Sequence, residues 1–165
     1  MTATSRFPLA SAHVGTASAE QTRDFAAALA AVAEPGDRIA LLGPLGAGKT
    51  QFAKGFAVGL GVREVVNSPS FTLMAEYAGR LPLFHQDLYR LSGAEEVLGL
   101  GLVDERQEDG VTLIEWGERL PERIDTRRLT IQIAVGDGDE RTISVDASHP
   151  SYGRYVRAAG SWSSK

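Results

Sequence analysis

The chain contains no cysteine among its 165 residues. A disulfide, a thiolate metal site and a cysteine nucleophile are therefore excluded. It also lacks any apolar run near the ~20 residues that a membrane-spanning helix needs. Its start, MTATSRFPLASAHVG, has no continuous apolar segment of the kind found in secretory signals. We therefore expect a cytoplasmic protein that makes no contact with a membrane.

Charge of one sign is not in large excess, because the formal net charge is only −4 at pH 7. A protein that coats nucleic acid through bulk charge needs a basic face, so this balance argues against that class of protein. Hydrophobic residues make up 43% of the chain and charged residues 23%, which is an ordinary soluble composition. The length suits one domain with a hydrophobic core.

Hydrophobic spacing and turn residues predict alternating helices and strands. Ser18 and Gln21 have the spacing of a capping box, which predicts a helix from Ser18 that ends at Pro35-Gly36. A helix is also predicted over residues 48–60, and one or two short helices over residues 93–109. Strands are predicted at residues 37–42, 62–66, 71–77, 81–89, 111–116, 128–135 and 141–147.

The pattern of these elements favours one α/β domain over residues 17–148. The run VTLIE is typical of a buried parallel strand, whereas the two last predicted strands flank GDGD and indicate an antiparallel hairpin. We interpret residues 1–16 as a flexible N-terminal tail and residues 149–165 as a C-terminal tail or short helix.

The segment GPLGAGKT, residues 43–50, fits the phosphate-loop pattern G-x-x-x-x-G-K-T between a predicted strand and a predicted helix. Glycine allows the backbone N–H groups to approach a triphosphate closely, and the helix N-terminus adds its positive dipole end. Lys49 would place a cation on the β- and γ-phosphates. Thr50 would offer an oxygen to Mg²⁺, which prefers oxygen ligands. The alternative is an ordinary glycine-rich turn.

Two carboxylates follow apolar strands, and either would complete a magnesium shell or orient an attacking water. Glu115 ends VTLIE, and Asp87 ends LPLFHQD. Ligand groups in open α/β sheets lie at the carboxyl ends of strands, so both carboxylates are well placed. The alternative interpretation of each residue is a surface carboxylate that follows a strand and has no role in a site.

Other polar and aromatic residues near these strands leave their roles open. His85 lies two residues before Asp87, so the two side chains would point the same way on a strand. His85 is interpreted either as a proton shuttle or as a structural residue. Trp116 is interpreted as packing or a partner contact. The hydroxyls of Ser68, Ser70 and Thr72 would either sense a γ-phosphate, as switch loops do, or cap a turn.

The ordered blocks GPLGAGKT, SPSFTL, HQDLYR and LIEWGERLP resemble the TsaE family, also called YjeE. Its members are bacterial P-loop ATPases required to form threonylcarbamoyl-adenosine in tRNA. The resemblance runs from about Ser18 to the final hairpin. It implies a P-loop NTPase fold with a mixed, mostly parallel central sheet flanked by helices and carrying antiparallel hairpins.

The resemblance also implies cofactors, partners and site residues. The cofactors are ATP and Mg²⁺, with Thr50, Glu115 and Asp87 at the metal and Lys49, Asp87 and Glu115 as catalytic residues. The partners are the tRNA threonylcarbamoyl transferase (TsaD-like) and its paralogue (TsaB-like), and tRNA would be met indirectly through that complex. The implied nucleotide contacts are Gly43, Gly46, Ala47, Gly48, Lys49, Thr50 and Gln51, with Ala19 and Thr22 near the adenine.

Two positions depart from the family pattern. Ser70 stands where threonine is more frequent, and its hydroxyl is retained. Gln86 stands where an apolar residue is expected between His85 and Asp87, so a wetter environment is predicted there. From the residues alone, a small-molecule kinase and a nucleotide-dependent binding switch with negligible turnover stay open. No Asn/Thr-Lys-x-Asp segment that would read guanine occurs in the chain.

Overall fold

The computed structural model describes residues 9–92, 94–120 and 127–164, and within these ranges the chain forms one seven-stranded sheet with helices packed on it. The strand order across the sheet is β1-β7-β6-β2-β5-β4-β3. The strands are β1 (Ala10–Thr16), β2 (Arg38–Leu42), β3 (Met74–Tyr77), β4 (Leu83–Asp87), β5 (Val111–Glu115), β6 (Leu129–Val135) and β7 (Arg141–Ala147).

The four central strands β6, β2, β5 and β4 run parallel, whereas β3, β7 and β1 run antiparallel to their neighbours. Every residue of β4 and of β5 is buried, as expected for parallel strands covered on both faces. The carboxyl ends of β2, β4 and β5 therefore lie at one edge of the sheet. This arrangement confirms the prediction of a mixed sheet with a buried parallel strand at VTLIE.

The α-helices are α1 (Ala19–Ala30), α2 (Lys49–Gly59), α3 (Ala94–Gly99) and α4 (Gly153–Ser161). Ser18 caps α1 as predicted, because the Gln21 N–H donates to Ser18 Oγ over 3.1 Å, and the reciprocal bond is shifted by one residue, since Gln21 Oε1 accepts from the Ala17 N–H over 2.8 Å. In the part of the chain that the structure describes, no helix has the length and apolar character needed to cross a bilayer.

Two glycines bring α1 and α2 into backbone contact. A Cβ on Gly55 would lie 2.1 Å from the Arg23 carbonyl oxygen, and one on Gly59 would lie 2.5 Å from that of Ala27. No real side chain tolerates such distances, so both positions require glycine. Phe25 and Phe52 then pack edge to face, 6.4 Å apart, beneath this contact. The close helix pair fixes the orientation of α2, and with it the loop that precedes α2.

Neighbouring residues of β5 supply the apolar cores on the two faces of the sheet. Leu113 packs with α1, α2 and α4 in the larger core. Ile114 points to the opposite face, where it meets Leu88 and Leu120. This alternation is the two-residue period of a strand, and it buries β5 without interrupting either core.

The interpretation of residues 1–16 as a flexible tail is wrong for residues 10–16, which form β1 and pair with all seven residues of β7. The first eight residues lie outside the described ranges. Strand β1 has a weak sequence signal because it is rich in small and polar residues, and only Val14 and Thr16 are buried. Its partner also lies near the other end of the chain, so no local hairpin pattern marks it.

The strand predicted at residues 62–66 is also absent from the described structure, which has irregular backbone there. Val62 donates its N–H to the Ala57 carbonyl over 3.0 Å, and so continues the turn that ends α2. Val62 and Val66 are both buried in the larger core. Their apolar character therefore reflects packing of a loop, which resembles a strand in sequence.

Helix α4 is anchored to the start of β2 through a buried carboxylate. Asp37 Oδ2 accepts hydrogen bonds from the Tyr155 hydroxyl, the Arg154 guanidinium and the Glu34 N–H. Burial, the Asp37 charge and the hydrogen bond to Asp37 raise the pKa of Tyr155, so its hydroxyl stays a donor. The C-terminal segment thus joins the fold at the end of the sheet opposite the loop between β2 and α2.

We expect Tyr155→Phe to lower the free energy of unfolding by about 1.5 kcal/mol, because it removes a donor from a buried carboxylate. Urea denaturation followed by circular dichroism measures this change. Ser161→Ala is the matched control, since Ser161 Oγ on the same helix donates only to the Arg157 carbonyl at an exposed position. Equal unfolding midpoints for Tyr155→Phe and the control would contradict the anchoring role.

Candidate functional site

The segment between β2 and α2 turns sharply through three glycines. Gly43, Gly46 and Gly48 have φ values of 154°, 79° and 110°, a region that side-chain-bearing residues rarely adopt. Gly48 also caps α2, in the left-handed conformation. The loop therefore needs glycine for its shape, which agrees with the phosphate-loop prediction.

The glycines differ in what surrounds them. A Cβ on Gly43 would lie 2.7 Å from the Ile133 carbonyl oxygen, so this residue packs against β6. A Cβ on Gly46 or Gly48 would meet no described atom within 4 Å. These two residues therefore border open space, which leaves room for a ligand beside them.

Lys49 lies folded over the loop that precedes it. Its ammonium donates to the Gly43 carbonyl and, over 3.0 Å, to the Pro44 carbonyl. The same nitrogen lies 3.9 Å from the centre of the Trp116 ring, a cation–π contact. Trp116 therefore contacts the phosphate-loop lysine, in addition to its packing role.

The environment of Lys49 disfavours its charge through burial. Burial lowers the pKa of Lys49, and the negative charges of Glu115, Glu118 and Asp87 oppose that shift in part. A buried ammonium whose hydrogen-bond acceptors are neutral carbonyl oxygens is poised to exchange them for an anion.

Glu115 is buried, and both of its oxygens have partners. Oε1 accepts a hydrogen bond from the Thr50 hydroxyl over 3.0 Å, and Oε2 lies 2.6 Å from His85 Nε2. His85 is fully buried, and the described residues give its Nδ1 no hydrogen-bond partner. The structure therefore places His85 behind Glu115 as an orienting residue.

Asp87 lies beside Glu115, because the two residues are paired in the register of β4 and β5. Asp87 Oδ1 accepts from the Tyr89 N–H over 2.9 Å, and Oδ2 accepts from the Ser68 hydroxyl. Asp87 is only 5% exposed. The two predicted carboxylates thus meet at the carboxyl edge of the sheet, next to the phosphate loop.

The loop that carries Ser68 contains a strained residue, and hydrogen bonds to Asp87 hold the loop in place. Leu73 has a φ of 67°, and its carbonyl accepts from the Asp87 N–H over 3.1 Å. Phe71, at the loop's outer side, is 81% exposed and lies beneath the Arg90 guanidinium, 4.2 Å away. A strained residue beside a site carboxylate is typical of segments that change conformation during function.

These residues enclose a cleft of about 430 Å³. It is lined by Leu45, Gly46, Ala47, Gly48, Lys49, Thr50, Gln51, Ser68, Ser70, Asp87, Tyr89, Glu115 and Trp116. The structure therefore brings together most of the residues predicted for the loop, the two carboxylates and two of the three loop hydroxyls. Gly43 does not line the cleft, but its carbonyl accepts a hydrogen bond from the Lys49 ammonium. Thr72 is also absent from the cleft lining.

The residues predicted near an adenine are not among those that line the cleft. Ala19 is exposed at the start of α1. Thr22 is buried, and its hydroxyl is 2.8 Å from that of Thr16. Helix α1 reaches the site through a different residue, because the Arg23 guanidinium donates to Gln51 Oε1 over 2.6 Å.

The wetter environment expected for Gln86 is wrong, because its side chain is fully buried. Its Nε2 donates to the Leu102 carbonyl, which also accepts from Gln107 Nε2 over 2.7 Å. Gln86 Oε1 has no hydrogen-bond partner among the described residues. The Gln86 amide can be buried because the Leu102 carbonyl accepts its hydrogen bond, and the sequence around Gln86 gives no sign of this partner.

Two cleft residues were not singled out from the sequence. Leu45 is 76% exposed at the tip of the loop. Tyr89 packs against Trp116 with ring centres 4.8 Å apart. Tyr89 lies in the HQDLYR block two residues after Asp87, and this closeness to a predicted site carboxylate could have identified it as a site residue.

A family model described as "Threonylcarbamoyl adenosine biosynthesis protein TsaE" matches residues 16–143. The chain belongs to the TsaE family. It is 47% identical over 133 residues to the tRNA threonylcarbamoyladenosine biosynthesis protein TsaE of Bacillus subtilis (strain 168), covering 80% of this chain and 83% of that protein. The TsaE protein of Treponema pallidum (strain Nichols) is 41% identical over 128 residues, covering 78% and 95%.

The crystal structure of Bacillus subtilis YdiB has the same fold, with a TM-score of 0.73 and 38% sequence identity. The match covers 92% of this chain and 95% of that structure. TsaE membership and this fold confirm the predicted class, a P-loop NTPase domain with a mixed sheet. The TsaE range, residues 16–143, includes the phosphate loop, both carboxylates and the β6–β7 hairpin up to Ile143.

We expect Gly46→Ala to abolish nucleotide binding, because a methyl group would fill the open space beside the loop and strain a φ of 79°. Titration calorimetry measures the binding. Gly61→Ala is a closely matched control, since Gly61 has a φ of 80° and equally open surroundings at the far end of α2. Both variants should lose similar stability, and equal loss of binding in both would contradict a specific role of Gly46.

Proposed function

We propose that this chain is a Mg²⁺-dependent ATPase that acts in the formation of threonylcarbamoyladenosine in tRNA. Family membership supports the pathway, because the curated relatives carry that role in their names. The observation that carries the ATPase assignment is the partly buried Thr50–Glu115 hydrogen bond beside the phosphate loop. It joins a hydroxyl and a carboxylate, the oxygen ligands that Mg²⁺ prefers.

The residues present fit ATP and Mg²⁺. Gly46 and Gly48 leave space on the open side of the loop for the phosphates, and Lys49 provides the cation. Thr50 and Glu115 would hold Mg²⁺, with Asp87 joining the shell or positioning water. When bound, the metal would neutralise charge on the β- and γ-phosphates during hydrolysis.

Each neighbouring side chain has a role that its own contacts support. His85 holds Glu115 Oε2, which leaves Oε1 directed at Thr50. Lys49 would leave the carbonyls of Gly43 and Pro44 to contact phosphate. Ser68 would release Asp87 when the loop that carries it responds to the γ-phosphate. This contact between the loop and a site carboxylate also favours the nucleotide-dependent binding switch, which is compatible with slow hydrolysis.

We propose that turnover is weak alone and depends on partner proteins. The partners would be a TsaD-like tRNA threonylcarbamoyl transferase and its TsaB-like paralogue, and tRNA would be met indirectly through that complex. Ala19 and Thr22 remain the proposed adenine-side segment, at the start of α1. Membership in the TsaE family argues against the small-molecule kinase that the phosphate loop alone left open.

The deciding experiment measures nucleotide hydrolysis by the chain alone, with candidate small-molecule acceptors, and with the purified transferase and its paralogue. Stimulation by the protein partners only is the expected result. A phosphorylated small-molecule product would overturn the proposal in favour of a kinase.

We expect Lys49→Ala to abolish tight ATP binding, because the variant loses the cation that would face the β- and γ-phosphates. Binding of a fluorescent ATP analogue measures the effect. Lys54→Ala is the matched control on the same helix, where Lys54 contacts Asn67 at an exposed position. Comparable affinity of Lys49→Ala and Lys54→Ala would remove Lys49 from the site.

We expect Glu115→Ala to reduce ATP turnover by about 100-fold while reducing ATP affinity much less, because loss of a carboxylate mainly affects metal positioning. Steady-state hydrolysis and calorimetry at several magnesium concentrations separate the two effects. Glu105→Ala, at an exposed position, is the control. Wild-type turnover in Glu115→Ala would show that this carboxylate is not part of the site.

A further inference from the structure

Arg141 is the first residue of β7, and its side chain reaches back to the phosphate loop. Nε donates to the Ala47 carbonyl over 2.9 Å, and Nη2 donates to the Gly46 carbonyl over 3.4 Å. Nη1 donates to the carbonyls of Gly138 and Glu140, over 2.9 and 2.8 Å. One guanidinium therefore joins the turn of the β6–β7 hairpin to the middle of the loop.

This bridge depends on the geometry of arginine. A guanidinium presents five N–H donors in a rigid planar fork, so it can bond two separate backbone segments at once. The carbonyls it holds are those of residues with no side-chain polar atoms, Gly46 and Ala47. Because Ala47 is 1% exposed, its carbonyl gains a partner that water does not readily supply.

The bridge also fixes which way the Gly48 N–H faces. In a trans peptide the C=O and N–H bonds point in opposite directions. The Ala47 carbonyl faces Arg141, so the Gly48 N–H must face away from Arg141. Gly48 lines the cleft, and its N–H belongs to the segment that a phosphate would contact.

The sheet order places Arg141 and the site carboxylates on opposite sides of the loop. Strand β2, which leads into the loop, has β5 and β4 on one side and β6 and β7 on the other. Glu115 and Asp87 lie on the first side, and Arg141 lies on the second. Gly43 packs on β6 on that same second side, against the Ile133 carbonyl.

We propose that Arg141 is a positioning residue for nucleotide binding, which holds the Gly46 and Ala47 carbonyls so that the loop is shaped for phosphate before the nucleotide arrives. The inference rests on the proposed function, because it assumes that the loop binds a nucleotide. Arg141 gives its bonds to protein carbonyls and acts through the loop, without contact to the reacting phosphate.

The test compares Arg141→Ala and Arg141→Lys with wild type, with Thr142→Ala as the control at the next, exposed position of β7. Calorimetry with Mg-ATP should show about tenfold weaker binding in Arg141→Ala, the scale of a lost charge-assisted hydrogen bond. KM should rise by a similar factor, while kcat at saturating ATP stays within about twofold. Wild-type affinity in Arg141→Ala would overturn the proposal.

Arg141→Lys keeps the charge and loses the fork, so it covers the case in which the alanine variant fails to fold. It should also bind Mg-ATP more weakly than wild type, and an unchanged affinity would overturn the bridging role. Thr142→Ala should bind as wild type does.

Amide hydrogen exchange, measured without nucleotide, tests the shape of the loop independently of ATPase activity. The amides of residues 46–50 should exchange faster in the Arg141 variants, while those of β6 keep their protection. Unchanged exchange at residues 46–50 would overturn the proposal. Absence of ATP binding by the wild-type chain would instead overturn the proposed function, so the two failures are distinguishable.

Discussion

The hydrogen bonds of one buried carboxylate connect the three elements that form the site. Glu115 ends β5, accepts from Thr50 at the start of α2 and meets His85 on β4. This meeting is possible because β2, β5 and β4 run parallel and end at the same edge of the sheet. An unpartnered buried carboxylate is costly, so these contacts also hold the helix and both strands in register.

Much of the fold and of the site could be predicted because local patterns encode it. Ser18 and Gln21 lie three residues apart and together cap the start of α1. The glycines of the phosphate loop indicate its positive-φ backbone conformation. Glu115 and Asp87 each end an apolar strand, and the parallel sheet brings such ends together. In these cases the information lies within a few residues of the feature it determines.

The features that could not be predicted depend on partners distant in the sequence. Strand β1 pairs with β7 across most of the chain, and Arg141 reaches a loop more than ninety residues before it. Gln86 is buried because a carbonyl on a following loop accepts its amide. None of these contacts leaves a periodic or local signal, since each is created only when the sheet assembles.

The pairing of β1 with β7 has a practical consequence for work on this chain. A chain trimmed to the family range would begin at residue 16 and would lack the strand that covers β7. Strand β7 would then become an open edge, with Ile143 and Val145 beside unpaired backbone groups, and such edges recruit strands from other molecules. Self-association of a trimmed protein would therefore be caused by the removal of β1. Recombinant versions should retain residues 9–16.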